Sequence, residues 1–158
     1  MSDTSPRTEL SSLGEFGLID RFASAVELVN PSSLQGIGDD SAVIDPQGLM
    51  QVITTDMLVE GVHFDLGYVP LKHLGYKAMV VNFSDVYAMN AVPKQVTVAI
   101  AISNRFSLEA VDELYAGMLA ACDAYGVDLV GGDTTSSTSG LVISVTAIGA
   151  AKKEDIVY

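Results

Sequence analysis

The stretch Gln95-Val-Thr-Val-Ala-Ile-Ala-Ile102, then Ser107 to Gly126, then Val127-Asp-Leu-Val130, decides the fold class. The first part has the β-branched content of a strand. Ser107 is a suitable N-cap for a helix through Tyr125, with Glu109 in the first turn, where the dipole favours a carboxylate, and Gly126 as the stop. The third part reads as another strand, and Leu141–Ile148 as one more. Upstream, Pro70 suits the first turn of a helix running to about Asn90. Between Leu74 and Val92 its only formal charges are Lys77 and Asp85, which predicts burial over most of its circumference. Leu49 to Thr54 reads as a strand ending in Thr54-Thr55-Asp56, after a turn at Gln47-Gly48 and a short apolar run at Ala42–Ile44. From Gly14, apolar positions from Phe16 to Val29 recur at helical spacing, and Pro31 ends that helix. Residues 1–13 read as a flexible leader and 14–158 as one domain. Strands alternating with helices predict an α/β fold (an α+β sandwich), with a sheet on one side and helices on the other.

The chain has 158 residues, of which 49% are hydrophobic and 18% charged, enough for one well-formed core. Its net charge of −12 repels polyanions, so neither nucleic acid nor an anionic membrane is an expected partner. Divalent cations are the natural counter-charge. The single cysteine, Cys122, excludes an internal disulfide and a cysteine-based zinc cluster, and its Ala-rich surroundings predict a buried thiol. No apolar run reaches membrane-spanning length and residues 1–10 hold no signal-peptide core, so a cytoplasmic protein is expected. Residues 151–158 end without a turn or cap, which reads as a chain cut off.

The acids are placed informatively. Asp40, Asp56, Asp85 and Asp133 lie beside apolar or glycine-rich segments. Asp85 shares a helical stripe with Leu74, Ala78 and Val81, which predicts a buried carboxylate with two readings: a structural acid paired with a distant arginine or capping a backbone, or else a metal ligand. We take the second. Asp56 and Asp133 are expected at strand ends, each beside two threonines. As single residues they read as Asx turns; as a set of oxygen donors they suit Mg²⁺, which keeps waters and shares itself with phosphates. The glycine steps Gly36-x-Gly38 and Gly131-Gly132 are weak alone: either a bend or a close backbone approach to a nucleotide. No P-loop is present, nor the protein-kinase HRD or DFG signatures. His63 alone reads as a structural histidine, and Tyr115 as packing.

In order along the chain stand Gly14-Glu-Phe16, Gly36-Ile-Gly-Asp-Asp40, Thr54-Thr-Asp56, Leu58-Val-Glu-Gly-Val-His-Phe64, Gly75-Tyr-Lys-Ala78, Val81-Asn-Phe-Ser-Asp85, Ala88-Met89 and Leu129-Val-Gly-Gly-Asp-Thr-Thr135. As a set they resemble the thiamine monophosphate kinases, from about residue 14 to the end. The superfamily includes aminoimidazole ribonucleotide synthetase, selenophosphate synthetase and a hydrogenase maturation factor. The resemblance implies a mixed β-sheet with helices packed on one face, like the N-terminal domain of aminoimidazole ribonucleotide synthetase, dimerising through its sheet. It implies ATP-dependent phosphorylation of thiamine monophosphate to thiamine diphosphate, by direct in-line transfer with no covalent enzyme intermediate. Asp40, Thr54, Thr55, Asp56, Asp85 and Asp133 would then hold several Mg²⁺ ions. His63 would meet the thiamine phosphate, Gly132 and Asp133 would approach ATP, and Tyr115 its base. Two positions depart from the pattern: Asn90 replaces a glycine, and Ser136 a frequent arginine. The family has a second domain of similar size, so this chain is expected to be the N-terminal half of a longer protein, a homodimer with negligible turnover alone. The alternatives are a sister ATP-dependent enzyme of the superfamily or, for this chain alone, a non-catalytic dimerising cation-binding module.

Overall fold

A computed structural model describes Thr8, residues 13–37 and residues 42–158. Asp39 and Asp40 lie outside the described residues, as does most of the 1–13 leader. The elements are α1 (Gly14–Ala23), β1 (Ser33–Gln35), β2 (Val43–Ile44), β3 (Met50–Val59), α2 (Leu71–Ala88), β4 (Val92–Ile102), α3 (Leu108–Tyr125), β5 (Asp128–Ser136) and β6 (Leu141–Ala151), closed by a 3₁₀ turn at Lys153–Asp155. β3, β6, β4 and β5 form one sheet in that order, and β1 and β2 a small separate ladder. β6 runs antiparallel to both β3 and β4, while β4 and β5 are parallel. The sheet is therefore mixed, and its parallel pair is the strand–helix–strand unit read from residues 95–130, with α3 as the crossover.

The sequence of β6 shows why helices cover one face only. Leu141, Ile143, Val145 and Ala147 are buried, while Val142, Ser144, Thr146 and Ile148, on the other face, are half-buried. β4 alternates in the same way around Val96, Val98 and Ile100. α2 and α3 pack backbone to backbone over the buried face. A Cβ on Gly75 would lie 2.0 Å from the Leu114 carbonyl oxygen, and one on Gly117 would lie 1.9 Å from that of Lys72. Ser107 caps α3 by accepting from the Ala110 N–H, and Gly126 closes it at φ 64°. Gln47 and Gly48 both take positive φ in the expected turn, and the Leu49 N–H donates to the Pro46 carbonyl.

Four expectations need correction. α1 stops at Ala23 and does not reach Val29, because the N–H groups of Val29 and Asn30 donate to the Asp128 carboxylate instead of continuing the helix. β3 and β5 run on through Asp56 and Asp133, so these acids lie inside strands and not after them; the long β6 and β4 supply the extra pairing. α2 buries one broad face, and its outer side leaves Tyr76 and Tyr87 exposed, as a helix in a two-layer fold must. Finally, Asp85 is exposed. The buried face of α2 is centred on Met79, Asn82, Phe83 and Val86, so the turn carrying half-buried Val81 and Asp85 overhangs the edge strand β3, where the sheet ends.

The departure at Asn90 has a local explanation. Asn90 follows α2 at φ 56°, the left-handed region that glycine occupies freely and asparagine tolerates. Its amide donates to the Asp155 carbonyl at 2.7 Å, and the Val157 N–H donates to the Met89 carbonyl, tying residues 155–157 to the end of α2. No helix among the described residues is long and apolar enough to cross a membrane.

Candidate functional site

The candidate residues fall in two places. The first is the seam between β3 and α2. Even-numbered positions of β3 face the helix layer, which puts Thr54 and Asp56 on the α2 side, in line with buried Leu58. The Thr54 hydroxyl donates to Asp85 at 3.2 Å. Helix and strand run in opposite directions here, so Lys77, two turns before Asp85, comes level with the turn after β3, where its ammonium donates to the His63 carbonyl at 3.4 Å. The Lys77-to-Asp85 rise along α2 is about 12 Å. His63 is exposed, and its Nδ1 accepts the Val59 N–H at 3.0 Å. That contact assigns the neutral ring's proton to Nε2, leaving an N–H donor directed away from the turn. Glu60 fixes the same turn: it pairs with Arg105 and accepts the Leu141 N–H at 2.9 Å.

The second place is a cleft of about 980 Å³ at the β5 end of the open sheet face. Its walls are α1 through Ile19 and Phe22, the β1–β2 pair through Gly36, Ile37 and Ile44, and β5 through Gly131, Gly132 and Asp133. Gly132 has no room for a side chain, since a Cβ would meet the Val98 carbonyl oxygen at 1.8 Å. Tyr115 lines this cleft with its ring stacked on Phe22, centroids 3.8 Å apart and planes 9° from parallel. Burial pushes the Tyr115 phenol up to about 12, with the hydrogen bond to Thr134 acting in the opposite sense, so it is a neutral hydroxyl at any physiological pH. Arg21 locks α1 onto α3 through a two-point pair with Asp112 at 2.8 and 2.7 Å.

The fold thus brings Thr54 and Asp85 together, with Asp56 on the same strip and His63 at its far end. It does not bring Asp133 to them. Met57, Ser144, Ala99 and Asp133 stand in one row across the four strands, so Asp133 is three strand spacings from β3, about 14 Å. Thr55 points away from the seam, onto the open face, where it donates to the Val145 carbonyl and accepts from Thr146. Ser136 is exposed and ends β5, opposite Ile102. Asp40 is outside the described residues. Cys122 is buried, its thiol pushed up to about 12 chiefly by burial, and it lies in neither place.

The seam fits a hard cation by the chemistry of its donors. Thr54, Asp56 and Asp85 offer only oxygen. Among the described residues Asp56 has no hydrogen bond or ion pair, and Asp85 has only the Thr54 hydroxyl. No three His, Cys, Asp or Glu side chains gather into a metal-binding group among the described residues. An ion here would therefore keep waters and share itself with bound phosphates, the usual manner of Mg²⁺.

Sequence reasoning missed three features. Lys77 supplies positive charge beside His63 at the far end of the seam. The Glu60–Arg105 pair holds the His63 turn. Asp128, 1% exposed, takes the burial expected of Asp85; its signal was an acid set between Val127 and Leu129 at the start of a strand.

Comparison with known proteins places these features. The family model for "AIR synthase related protein, N-terminal domain" matches residues 38–151. The thiamine-monophosphate kinase of Bacillus subtilis (strain 168) is 37% identical over 143 residues, covering 89% of this chain and 43% of its own length. The crystal structure of thiamine-monophosphate kinase from Stenotrophomonas maltophilia K279a superposes with a TM-score of 0.77 at 36% identity, over 92% of this chain and 45% of that one. AaThiL, complexed with AMPPCP and TMP, superposes with a TM-score of 0.65 at 34% identity, over 98% of this chain and 46% of that one. The chain spans less than half the length of these relatives.

Proposed function

The chain belongs to the AIR synthase related proteins, as their N-terminal domain, and from that premise we propose that the protein transfers the γ-phosphoryl group of ATP to thiamine monophosphate, giving thiamine diphosphate and ADP. One observation carries the proposal: an oxygen-only strip of Thr54, Asp56 and Asp85 ends at a turn that offers the Lys77 ammonium and the His63 Nε2–H, on a chain that resembles thiamine-monophosphate kinases over most of its length. The acceptor is a phosphate already ionised near neutral pH, its second pKa being about 6, so no general base is required. An oxygen of that phosphate attacks the γ-phosphorus and the bond to the bridging oxygen of ADP breaks in line, without a covalent enzyme intermediate. The obstacle is repulsion between two polyanions, which Mg²⁺ ions relieve when bound.

Asp40, Thr54, Thr55, Asp56, Asp85 and Asp133 are the residues we assign to those ions, several in number. His63 donates from Nε2 to the acceptor phosphate and Lys77 adds charge beside it. Gly132 and Asp133 meet the nucleotide, whose base lies toward Tyr115. These roles follow the family resemblance, and donor chemistry supports them at Thr54, Asp56 and Asp85. We place the protein in the cytoplasm, where ATP is abundant.

We also propose a homodimer through the open sheet face, where Ile53 and Met57 are 65% and 57% exposed beside half-buried Ile148 and Thr146. A second copy there would add its own strands beside a site whose two parts are about 14 Å apart in one chain. That separation favours the second reading for the 158-residue chain alone, a dimerising cation-binding module that lacks turnover. A sister ATP-dependent enzyme of the superfamily would share the acids but not the Leu58–Phe64 turn.

The test is thiamine diphosphate formation by the intact protein with ATP, Mg²⁺ and thiamine monophosphate, beside Asp85→Asn. Product lost in the variant supports both the activity and the role of Asp85. No product from folded wild type rejects the kinase reading, and undiminished product in the variant rejects the role of Asp85.

A further inference from the structure

Asp128 opens β5, next to the glycine that ends α3, and is 1% exposed. Its Oδ1 accepts the Val29 N–H at 2.8 Å, and its Oδ2 accepts the Asn30 N–H at 3.0 Å and the Ser33 hydroxyl. The surroundings extend the tie. Asn30 donates its amide to the carbonyls of Lys94 and Gly126, both at 3.0 Å. Buried Gln95 donates to the hydroxyls of Ser32 and Ser33 at 2.7 and 2.8 Å. Residues 29–33 therefore hang from the start of β4, the start of β5 and the end of α3 by seven hydrogen bonds.

Ser33 begins β1, and the β1–β2 pair is one wall of the cleft whose opposite wall is Gly131–Asp133 on β5. Asp128 is on the same strand as that second wall. One carboxylate thus joins the base of one wall to the base of the other. A core acid needed for stability alone could be satisfied by donors from any neighbour; here every donor given for it comes from the segment that leads into the cleft wall.

We propose that Asp128 is a positioning residue that sets the width of the cleft for its ligand, which under the reading above is the nucleotide's phosphate end. The proposal deepens the kinase reading and rests on its assignment of this cleft to ATP. Removing the tie lets the β1–β2 wall drift from β5, so affinity for nucleotide falls while the seam that receives the acceptor, on the far side of the sheet, is untouched.

The experiment uses the intact protein and compares Asp128→Asn, Ser33→Ala and, as a packing lesion, Met79→Ala, a fully buried α2 residue remote from the cleft. Asp128→Asn keeps the shape but turns one acceptor into a donor facing donors. It is expected to raise the KM for ATP at least fivefold, with kcat and the KM for thiamine monophosphate within twofold. Ser33→Ala removes two of the bonds, the one to Asp128 and the one from Gln95, and gives about a twofold to threefold rise, which keeps the proposal testable should Asp128→Asn not fold. Met79→Ala lowers the melting temperature without changing the ratio of the two KM values. An unchanged ATP KM in the Asp128 and Ser33 variants overturns the proposal, as does a parallel rise of both KM values in all three variants. Calorimetric MgATP binding separates this from the fate of the kinase reading. With a catalytically silent wild type, a weakened Kd in the two variants still supports the role of Asp128, and an unchanged Kd overturns it. A wild type that binds no MgATP rejects the nucleotide reading and the inference with it.

Discussion

Two regions of this molecule hold an aspartate in a largely apolar stretch of sequence, and they treat it in opposite ways. At the junction of β5 with residues 29–33, Asp128 is enclosed and accepts three hydrogen bonds. At the β3–α2 seam, Asp85 is exposed and accepts one, from Thr54. The first carboxylate is used up by the fold. The second is left with lone pairs facing solvent, beside Asp56, which has no partner among the described residues. An enclosed acid with both oxygens engaged by the fold positions its donors; an exposed one with most of its lone pairs free can take a ligand. The contrast divides structural from chemical roles more sharply than burial alone.

The largest effect should come from breaking the enclosed case. Asp128→Ala strands two backbone N–H groups and a hydroxyl at a site only partly open to water, and is expected to cost roughly 3 kcal/mol in urea or thermal unfolding. A loss below about 1 kcal/mol would mean that water or local rearrangement satisfies those donors. Asp85→Asn should do the reverse: a melting temperature within a degree or two of wild type, and a fall in kcat of about a hundredfold or more, in the range seen when one group stabilising transition-state charge is removed. If Asp85→Asn instead unfolds the protein with activity tracking the folded fraction, the two carboxylates are alike and the comparison fails.

How far the sequence could separate them is instructive. Strand, helix and strand from Gln95 to Val130, the Ser107 cap, the Gly126 stop and the Gln47-Gly48 turn were all legible, because each rests on local chemistry that no tertiary contact overrode. The mixed sheet followed from the resemblance, and its one-sided helices from the alternation of strands with helices along the chain. The burial of Asp85 was misread. Helical periodicity places 74, 78, 81 and 85 on one stripe, but it cannot say where the underlying sheet ends, and β3 is an edge strand. The length of α1 was misread for a related reason: the apolar spacing through Val29 is real, yet the Asp128 carboxylate, 99 residues away in sequence, takes the N–H groups that a longer helix would have used. Asp56 and Asp133 were picked out as acids beside threonines, but the 14 Å between the two groups depends on strand order, which no local pattern carries.

The open sheet face supplies a smaller test of the same contrast between surfaces the fold consumes and surfaces it leaves available. Ile53 is 65% exposed at the centre of β3. Ile53→Lys should leave unfolding of the protomer within about 0.5 kcal/mol, yet weaken a dimer formed through that face by about tenfold or more, measured by analytical ultracentrifugation. An unchanged association constant would move the dimer interface elsewhere.

Glu109 completes the series as a carboxylate with both oxygens engaged in a half-buried setting, and it carries the smallest expected effect. In the first turn of α3 it accepts the Thr8 N–H at 3.1 Å on both oxygens, while the Leu108 N–H donates to the Thr8 carbonyl. The hydrogen bonds with Thr8, then its own backbone N–H and Ser107, hold its carboxyl down at about 2 against an ordinary 4.5. A depressed carboxyl contributes stability that is present above its unfolded value and disappears as pH falls through its folded one. Wild type should therefore exceed Glu109→Gln in stability at pH 6, converge on it between about 4.5 and 2, and match it below. Solvent screens this group, so the gap at pH 6 should be small and should shrink further in 1 M salt. A gap rivalling that of Asp128→Ala would show that hydrogen-bond count, not enclosure, decides what a carboxylate is worth here; a gap that persists at pH 2 would assign it to lost helix propensity or packing instead of charge.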